Sequence, residues 1–151
     1  MVNHSGDRTE IRLGGIIDHT SADEFAKAFQ TLRATVCLNL REVTRISSYG
    51  VGLLIRQLSA ISREHKVEFA QCSETMVDQF QMLQFSNYGR ITSFQARYAC
   101  PRCDRQELRM LEVAKLKVDK RTDTVVSPAF PCACGGKLVV DDSLEFVIDH
   151  I

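Results

Sequence analysis

The chain has 151 residues, of which 19 are basic, 19 are acidic and six are cysteine. This length fits one domain with at most a small added module, and hydrophobic (44%) and charged (25%) fractions of ordinary size exclude a disordered or fibrous chain. Zero net charge removes bulk attraction to nucleic acid or to an anionic membrane. No apolar run reaches the ~18 residues of a membrane span. Because Met1–Glu10 also lacks the apolar core of a secretory signal, we expect a cytoplasmic protein without membrane insertion.

Over roughly the first 95 residues, short apolar strands alternate with amphipathic helices. Strands are predicted at 10–13, with a second apolar step at 16–17, and at 35–40, 67–72 and 91–94; helices are predicted at 21–33, 50–62 and 74–83. At the start of the first helix, Ser21 and Glu24 have the spacing of a capping box, in which each side chain accepts from the other residue's amide. This alternation predicts an α/β sheet domain.

Three stretches of this region resemble the STAS family, the sulfate-transporter and anti-sigma-factor-antagonist domains. They are GIIDHTSA at 15–22, VCLNLREV at 36–43 and ISSYGVGLL at 46–54, and the resemblance covers roughly residues 8–97. It implies a sheet with helices packed on one side and no enzymatic activity. It also implies another protein as the partner, such as an anti-sigma-factor kinase or another signalling or transport subunit, and it leaves a homo-oligomer open.

The resemblance places a switch in the loop before the second helix. Phosphorylatable members carry Asp-Ser-Ser/Thr-Gly-Leu-Gly, and the residue before the first glycine takes the phosphate. When Gly50 and Gly52 are matched to the family's glycines, Tyr49 stands at the phosphoacceptor position. Ser47 then occupies the Asp position, and Ser48 lies one residue before the acceptor.

Two interpretations of this loop stay open. A phosphate at a helix start meets free amides, and its added charge of about −1.5 to −2 can break a partner interface. The plainer alternative, which we favour, is that Ser47 or Ser48 caps the helix and contributes ~1 kcal/mol of stability.

The last third of the chain carries four cysteines in two close pairs. Cys100 and Cys103 form a C-P-x-C sequence, and Cys132 and Cys134 form a C-x-C sequence followed by two glycines. Strand-like segments surround them at 111–118, 125–126, 138–140 and 144–148. Two cysteine turns presented by β-hairpins are typical of a zinc ribbon, in which four thiolates close a tetrahedral structural Zn²⁺ site. These four cysteines are therefore the predicted zinc ligands, and the metal would supply much of the folding free energy of so small a module.

The zinc prediction has alternatives, because the second pair is C-x-C rather than C-x2-C and the intervening 28 residues exceed the typical ~15–20. The site could have lost its metal, or Cys132 and Cys134 could form a reversible redox pair. The other two cysteines, Cys37 and Cys72, lie within strand patterns and are predicted to be buried core thiols.

We therefore expect a STAS-like domain over 1–97 followed by a zinc-ribbon-like β module over 98–151. The favoured function is a non-catalytic regulatory interaction module, with the 47–52 loop and the exposed face of the second helix as the contact surface. That face carries Arg56, Gln57 and Arg63. An enzyme is the weakest alternative, since no catalytic triad, carboxylate pair or phosphate-binding loop is present.

The alternative function is a nucleic-acid-binding ribbon that uses the basic segment 97–121. Eight basic residues lie in it, with Tyr98 beside them: Arg97, Arg102, Arg105, Arg109, Lys115, Lys117, Lys120 and Arg121. Only one basic residue but five acidic residues follow Arg121. We expect these acidic residues to pair with the basic segment across the hairpins, which argues against nucleic acid.

Overall fold

A computed structural model describes all 151 residues. The strands are β1 (Val2–Ser5), β2 (Arg8–Ile17), β3 (Thr35–Ile46), β4 (Lys66–Ala70), β5 (Arg90–Ile91), β6 (Ser93–Ala99), β7 (Gln106–Glu112), β8 (Lys117–Asp119), β9 (Thr124–Val126), β10 (Phe130–Pro131) and β11 (Lys137–Val140). The α-helices are α1 (Ala22–Ala28), α2 (Ser48–Ile61) and α3 (Glu74–Met82), and short 3₁₀ helices lie at His19–Ser21, Phe85–Asn87, Val113–Lys115 and Glu145–His150. None of the helices has the length and apolar character needed to cross a membrane.

The first sheet has the strand order β1-β2-β3-β4-β5, in which only β1 runs antiparallel to its neighbour. Each helical crossover leads to the next strand in the same direction, so right-handed connections place α1, α2 and α3 on one face. The helix-covered face buries Ile11, Leu38 and Phe69, which are aligned across three strands. The opposite face carries polar side chains such as Arg12 and Asn39, which are also aligned. The predicted α/β architecture is confirmed.

The second sheet is antiparallel, with the order β10-β11-β6-β7. Its central strand β6 begins beside the end of β4, where Cys72 N donates to Ser93 O and Gln95 N donates to Cys72 O. Residues 90–99 therefore lead directly from one sheet into the other, and a single cluster of 32 buried hydrophobic residues extends over both. The predicted boundary between residues 97 and 98 falls within β6, and the division into two units stays a prediction.

The predicted capping box at Ser21 and Glu24 is wrong. The hydroxyl oxygen of Ser21 instead accepts from the Asp18 amide (3.1 Å), while the Asp18 carboxylate accepts from the Thr20 amide (2.8 Å). A reciprocal box therefore exists three residues earlier, where it starts the 3₁₀ turn, and Ser21 makes no side-chain cap for α1. The helix is also shorter than predicted and ends at Ala28 rather than at residue 33.

The segment 144–148 was predicted to be a strand, and this prediction is wrong. Leu144 is the N-cap of a 3₁₀ helix, Glu145–His150, which includes the rest of the segment. Leu144, Val147 and His150 are buried, and this spacing of three residues matches one turn of a 3₁₀ helix. Between them, the Phe146 ring packs edge-on against Phe94 of β6, with centroids 5.2 Å apart. The C-terminal segment is therefore held against the region where the two sheets meet.

Candidate metal centre and partner loop

The four C-terminal cysteines lie in two turns that the second sheet brings together. Cys100 and Cys103 occupy the turn between β6 and β7, and Cys132 and Cys134 occupy the turn between β10 and β11. Because β11 pairs with β6, the two turns meet at one end of the sheet. All four Sγ atoms lie within 4.8 Å of one another. Sequence spacing alone therefore identified a set of residues that the fold assembles.

The sulfur positions fit a four-coordinate ion. The Sγ atoms of Cys100 and Cys134 are 3.5 Å apart, and those of Cys103 and Cys132 are 3.6 Å apart. A tetrahedron with metal–sulfur bonds of about 2.3 Å has edges of ~3.8 Å, which is close to both distances. All four cysteines are free thiols. The four cysteines can therefore bind a metal ion.

Backbone hydrogen bonds fix both turns. Cys100 N donates to Arg105 O (2.9 Å), and Asp104 N donates to Cys100 O (2.8 Å), with Asp104 in the left-handed region at φ +60°. In the second turn, Cys132 N donates to Gly136 O at 3.0 Å.

Two glycines allow the short C-x-C turn to close. Gly135 has φ +89° and donates to Cys132 O (3.0 Å). A Cβ at Gly136 would lie 3.0 Å from the Cys100 sulfur and 3.3 Å from the Cys134 sulfur. The missing side chain at Gly136 thus leaves the space in which two sulfurs from different turns approach each other.

The thiols differ in acidity. The amides of Cys103 and Arg102 donate to the Cys100 sulfur and lower the pKa of Cys100 to about 7. The Gly136 amide also favours the Cys134 thiolate, but burial and hydrogen bonds with the other three thiols raise the pKa of Cys134 to about 12. Four neighbouring thiolates repel one another, so a bound cation is what allows the whole set to ionise.

The predicted loop at 47–52 forms the N-cap and the start of α2, since the helix begins at Ser48. This segment is anchored at its base and exposed at its tip. Ser47 Oγ accepts from the Gly50 amide (3.1 Å), so the predicted helix cap is confirmed for Ser47. The Ser47 amide donates to Ile17 O (2.9 Å), which ties the loop to β2. Ser48 and Tyr49 are exposed, and Tyr49 keeps 53% of its surface accessible.

The two glycines at the start of α2, Gly50 and Gly52, have different surroundings. A Cβ at Gly50 would collide with the carbonyl oxygen of Ile17, so this position requires glycine for packing. A Cβ at Gly52 would meet nothing within 4 Å, and the residue is exposed. Of the residues predicted for the exposed face of the second helix, Arg56 is exposed and Gln57 is half-buried in α2. Arg63 is exposed but lies beyond the end of the helix at Ile61, so it is not part of that face. The loop therefore offers an accessible surface on a fixed support.

The basic segment pairs mainly with its own acidic residues. Arg105 and Arg109 pair with Glu107, Lys115 pairs with Glu112, and Arg121 pairs with Asp119. The predicted pairing with the acidic residues that follow residue 121 is found for Arg97, whose guanidinium lies 3.8 Å from Asp142. Tyr98 is 1% exposed and donates to Pro128 O (2.8 Å), so it cannot stack on a nucleic-acid base.

The remaining cysteines are buried, as predicted. Cys37 is 3% exposed and Cys72 is fully buried. Burial raises the pKa of the Cys37 thiol and raises that of the Cys72 thiol further. Both therefore act as small core side chains, and neither belongs to the cluster of four.

The first sheet and its helices match a known family. A family model described as "Mlab, STAS domain" matches residues 1–92, which include β1 to β5 and α1 to α3. A solved structure of the anti-sigma factor antagonist SpoIIAA in its unphosphorylated form is 22% identical, covers 60% of this chain and 85% of that chain, and has a TM-score of 0.45. No curated protein matches the chain. Because the family model matches more than half of the sequence, the chain belongs to the STAS domain family.

Proposed function

We propose that the protein is a non-catalytic regulatory module that binds another protein through its STAS part, residues 1–97. The observation that carries the proposal is the 47–52 segment at the start of α2, which is anchored by the Ser47 cap and exposes Ser48, Tyr49 and Gly52. Membership of the STAS family supports a regulatory role. The proposed partner is an anti-sigma-factor kinase or another signalling or transport subunit in the cytoplasm.

Three features suit this loop to binding. Because its base is already fixed, the segment loses less conformational entropy when it binds a partner. The exposed Tyr49 ring supplies the amphipathic contact area that is enriched at protein interfaces. The open space at Gly52 lets a partner approach the helix closely.

The same loop is the proposed site of regulation by phosphate. Ser47 uses its oxygen as the helix cap, whereas Ser48 and Tyr49 carry exposed hydroxyl groups at the start of α2. A phosphate on either residue would add about −1.5 to −2 charge at the centre of the contact surface.

For the second part, residues 98–151, we propose a structural Zn²⁺ held by Cys100, Cys103, Cys132 and Cys134. Four thiolates complete a tetrahedral coordination shell and leave no position for a substrate. Zinc suits thiolate ligands and does not change oxidation state. Its role would be to hold the β10–β11 turn against the β6–β7 turn.

Partner capture tests the proposed interface. Gly52→Trp places a large side chain at an exposed position where an added Cβ meets nothing within 4 Å, so we expect it to abolish capture of the native partner from cell extract. The control is Ala34→Trp, at an exposed position just before β3, because the loop follows the other end of that strand. Equal capture by both variants, with unchanged thermal unfolding, would show that the loop is not the interface.

A further inference from the structure

Strand β7 forms one edge of the second sheet, and no strand pairs with its outer side. Two hydrogen bonds at its ends establish which of its backbone groups face inward: Val113 N donates to Thr92 O, and Cys100 N donates to Arg105 O. In an antiparallel ladder, these bonds mark the odd-numbered residues of β7 as those that hydrogen-bond to β6. The N–H and C=O groups of the even-numbered residues therefore point away from the sheet.

The side chains of these even-numbered residues include two large apolar groups. Leu108 is 44% exposed and Met110 is 38% exposed, although both lie in a regular strand. The other face of the strand is supported, since the Arg109 guanidinium lies over the Phe130 ring at 4.5 Å. A fixed edge strand with exposed apolar side chains and outward backbone groups is a template for another strand.

The charges on β7 are complementary to those of a second, antiparallel copy of β7, in addition to the pair that Glu107 and Arg109 form within each chain. In an antiparallel pair with its twofold axis at Leu108, Glu107 of each copy faces Arg109 of the other, and the two Leu108 side chains meet. Gln106 of each copy then faces Met110 of the other copy. Moving the axis to residue 107 or 109 would instead place two Glu107 or two Arg109 side chains opposite each other, which is destabilising.

We propose that the protein forms a twofold dimer through antiparallel pairing of its β7 strands, centred on Leu108. The pairing joins two four-stranded sheets into one sheet of eight strands. The outward groups of residues 106, 108 and 110 form about six hydrogen bonds, and the Glu107–Arg109 pairs occupy the closer, non-hydrogen-bonded positions. So small an interface forms a reversible dimer whose population rises with protein concentration.

Charge reversal tests the proposed register on the full-length chain by sedimentation over a range of concentrations. Glu107→Arg and Arg109→Glu each replace two attractive pairs with two repulsive ones, so each raises the dimer dissociation constant about tenfold or more. The matched control is Glu112→Arg, because position 112 would face residue 104, outside the strand. This control leaves the dissociation constant within about threefold of the wild-type value.

Mixing the two single variants separates a pairing defect from a folding defect. Two arginines on one β7 then face two glutamates on the other, so an equimolar mixture dimerises although neither variant does so alone. A wild-type chain that stays monomeric at every concentration overturns the proposal. Single variants that dimerise normally, or a mixture that fails to dimerise, also overturn it.

Discussion

The Nδ1 atom of His150 accepts a hydrogen bond from the Ile91 amide at 2.9 Å, which links the C-terminal 3₁₀ helix to β5 of the first sheet. His150 is 4% exposed, and its own carbonyl accepts from the Arg90 guanidinium (3.0 Å). Both interactions hold the last turn of the chain beside the edge of the STAS sheet. The C-terminal part is therefore joined to the first sheet in two ways: by the chain itself through β6, and by the hydrogen bonds of His150 with Arg90 and Ile91.

The burial of His150 makes stability depend on pH. Burial lowers the pKa of His150, and the Arg90 charge acts in the same direction, whereas Asp149 opposes it. The neutral ring is therefore favoured in the folded state, and its contribution is complete above the unfolded pKa of about 6.5. The contribution is lost as pH falls through the lower pKa of the folded state.

Urea unfolding at several pH values tests this dependence. We expect His150→Ala to lower the free energy of unfolding by about 1–3 kcal/mol at pH 7.5, because the Ile91 amide loses its acceptor. The variant should also lose less stability than the wild type between pH 7 and pH 5. Parallel curves for the two proteins would contradict the assigned role of His150.

The loop glycines Gly50 and Gly52 provide a matched pair of substitutions. Gly50→Ala places a Cβ against the Ile17 carbonyl oxygen, so we expect a loss of about 2 kcal/mol or more in the free energy of unfolding. Gly52→Ala adds a Cβ in open space within α2 and should stabilise the protein by about 0.5–1 kcal/mol. Thermal or denaturant unfolding measures both, and equal effects would contradict the packing described for Gly50.

Arg97 connects the centre of the second sheet to α3. Its guanidinium lies 2.7 Å from Glu74 and 3.1 Å from Asp78, and these carboxylates raise its pKa. Because the side chain is 39% exposed, we expect Arg97→Met to cost only about 0.5–1 kcal/mol. Arg12→Met is the control, since Arg12 pairs only with Glu10 on the exposed sheet face. Hydrogen exchange should increase in α3 for Arg97→Met and stay unchanged there for the control.

Gly136 tests the geometry of the cysteine cluster. Gly136→Ala places a Cβ 3.0 Å from the Cys100 sulfur, so we expect weaker metal binding. Competition with a chromogenic chelator should show a loss of affinity of about tenfold or more, equivalent to about 1.4 kcal/mol. Gly52→Ala is the control, because Gly52 likewise has no positive φ but lies in α2, outside the cysteine cluster. Metal binding by Gly136→Ala that equals that of the wild type would contradict the close packing of sulfurs described around Gly136.

Local patterns predicted much of this structure. Apolar periodicity located the parallel strands and the helices of the first part, and the spacing of Cys100, Cys103, Cys132 and Cys134 identified residues that meet in space. Gly135, directly after Cys134, has the positive φ that closes the C-x-C turn. In these cases a short stretch of sequence determines the relevant geometry.

The predictions failed where contacts distant in sequence decide the structure. Residues 144–148 are apolar enough for a strand, but the packing of Phe146 against Phe94 and the hydrogen bond from the Ile91 amide to His150 favour a 3₁₀ helix. Ser21 has the spacing of a cap for α1, yet Asp18 engages it first because the chain leaves β2 at that point. The partner of Arg97 in α3 could not be found from charge patterning, since 23 residues separate Arg97 from Glu74.

The metal content of the purified protein tests the central claim about the cysteine cluster most directly. Protein prepared without chelators should contain one zinc ion per chain by elemental analysis. Cys103→Ser should lower that content, because it removes one of four ligands, whereas Cys37→Ser should leave it unchanged, because Cys37 lies outside the cluster. Well under one zinc per chain in the wild-type protein, or full zinc content in Cys103→Ser, would contradict a zinc site formed by these four cysteines.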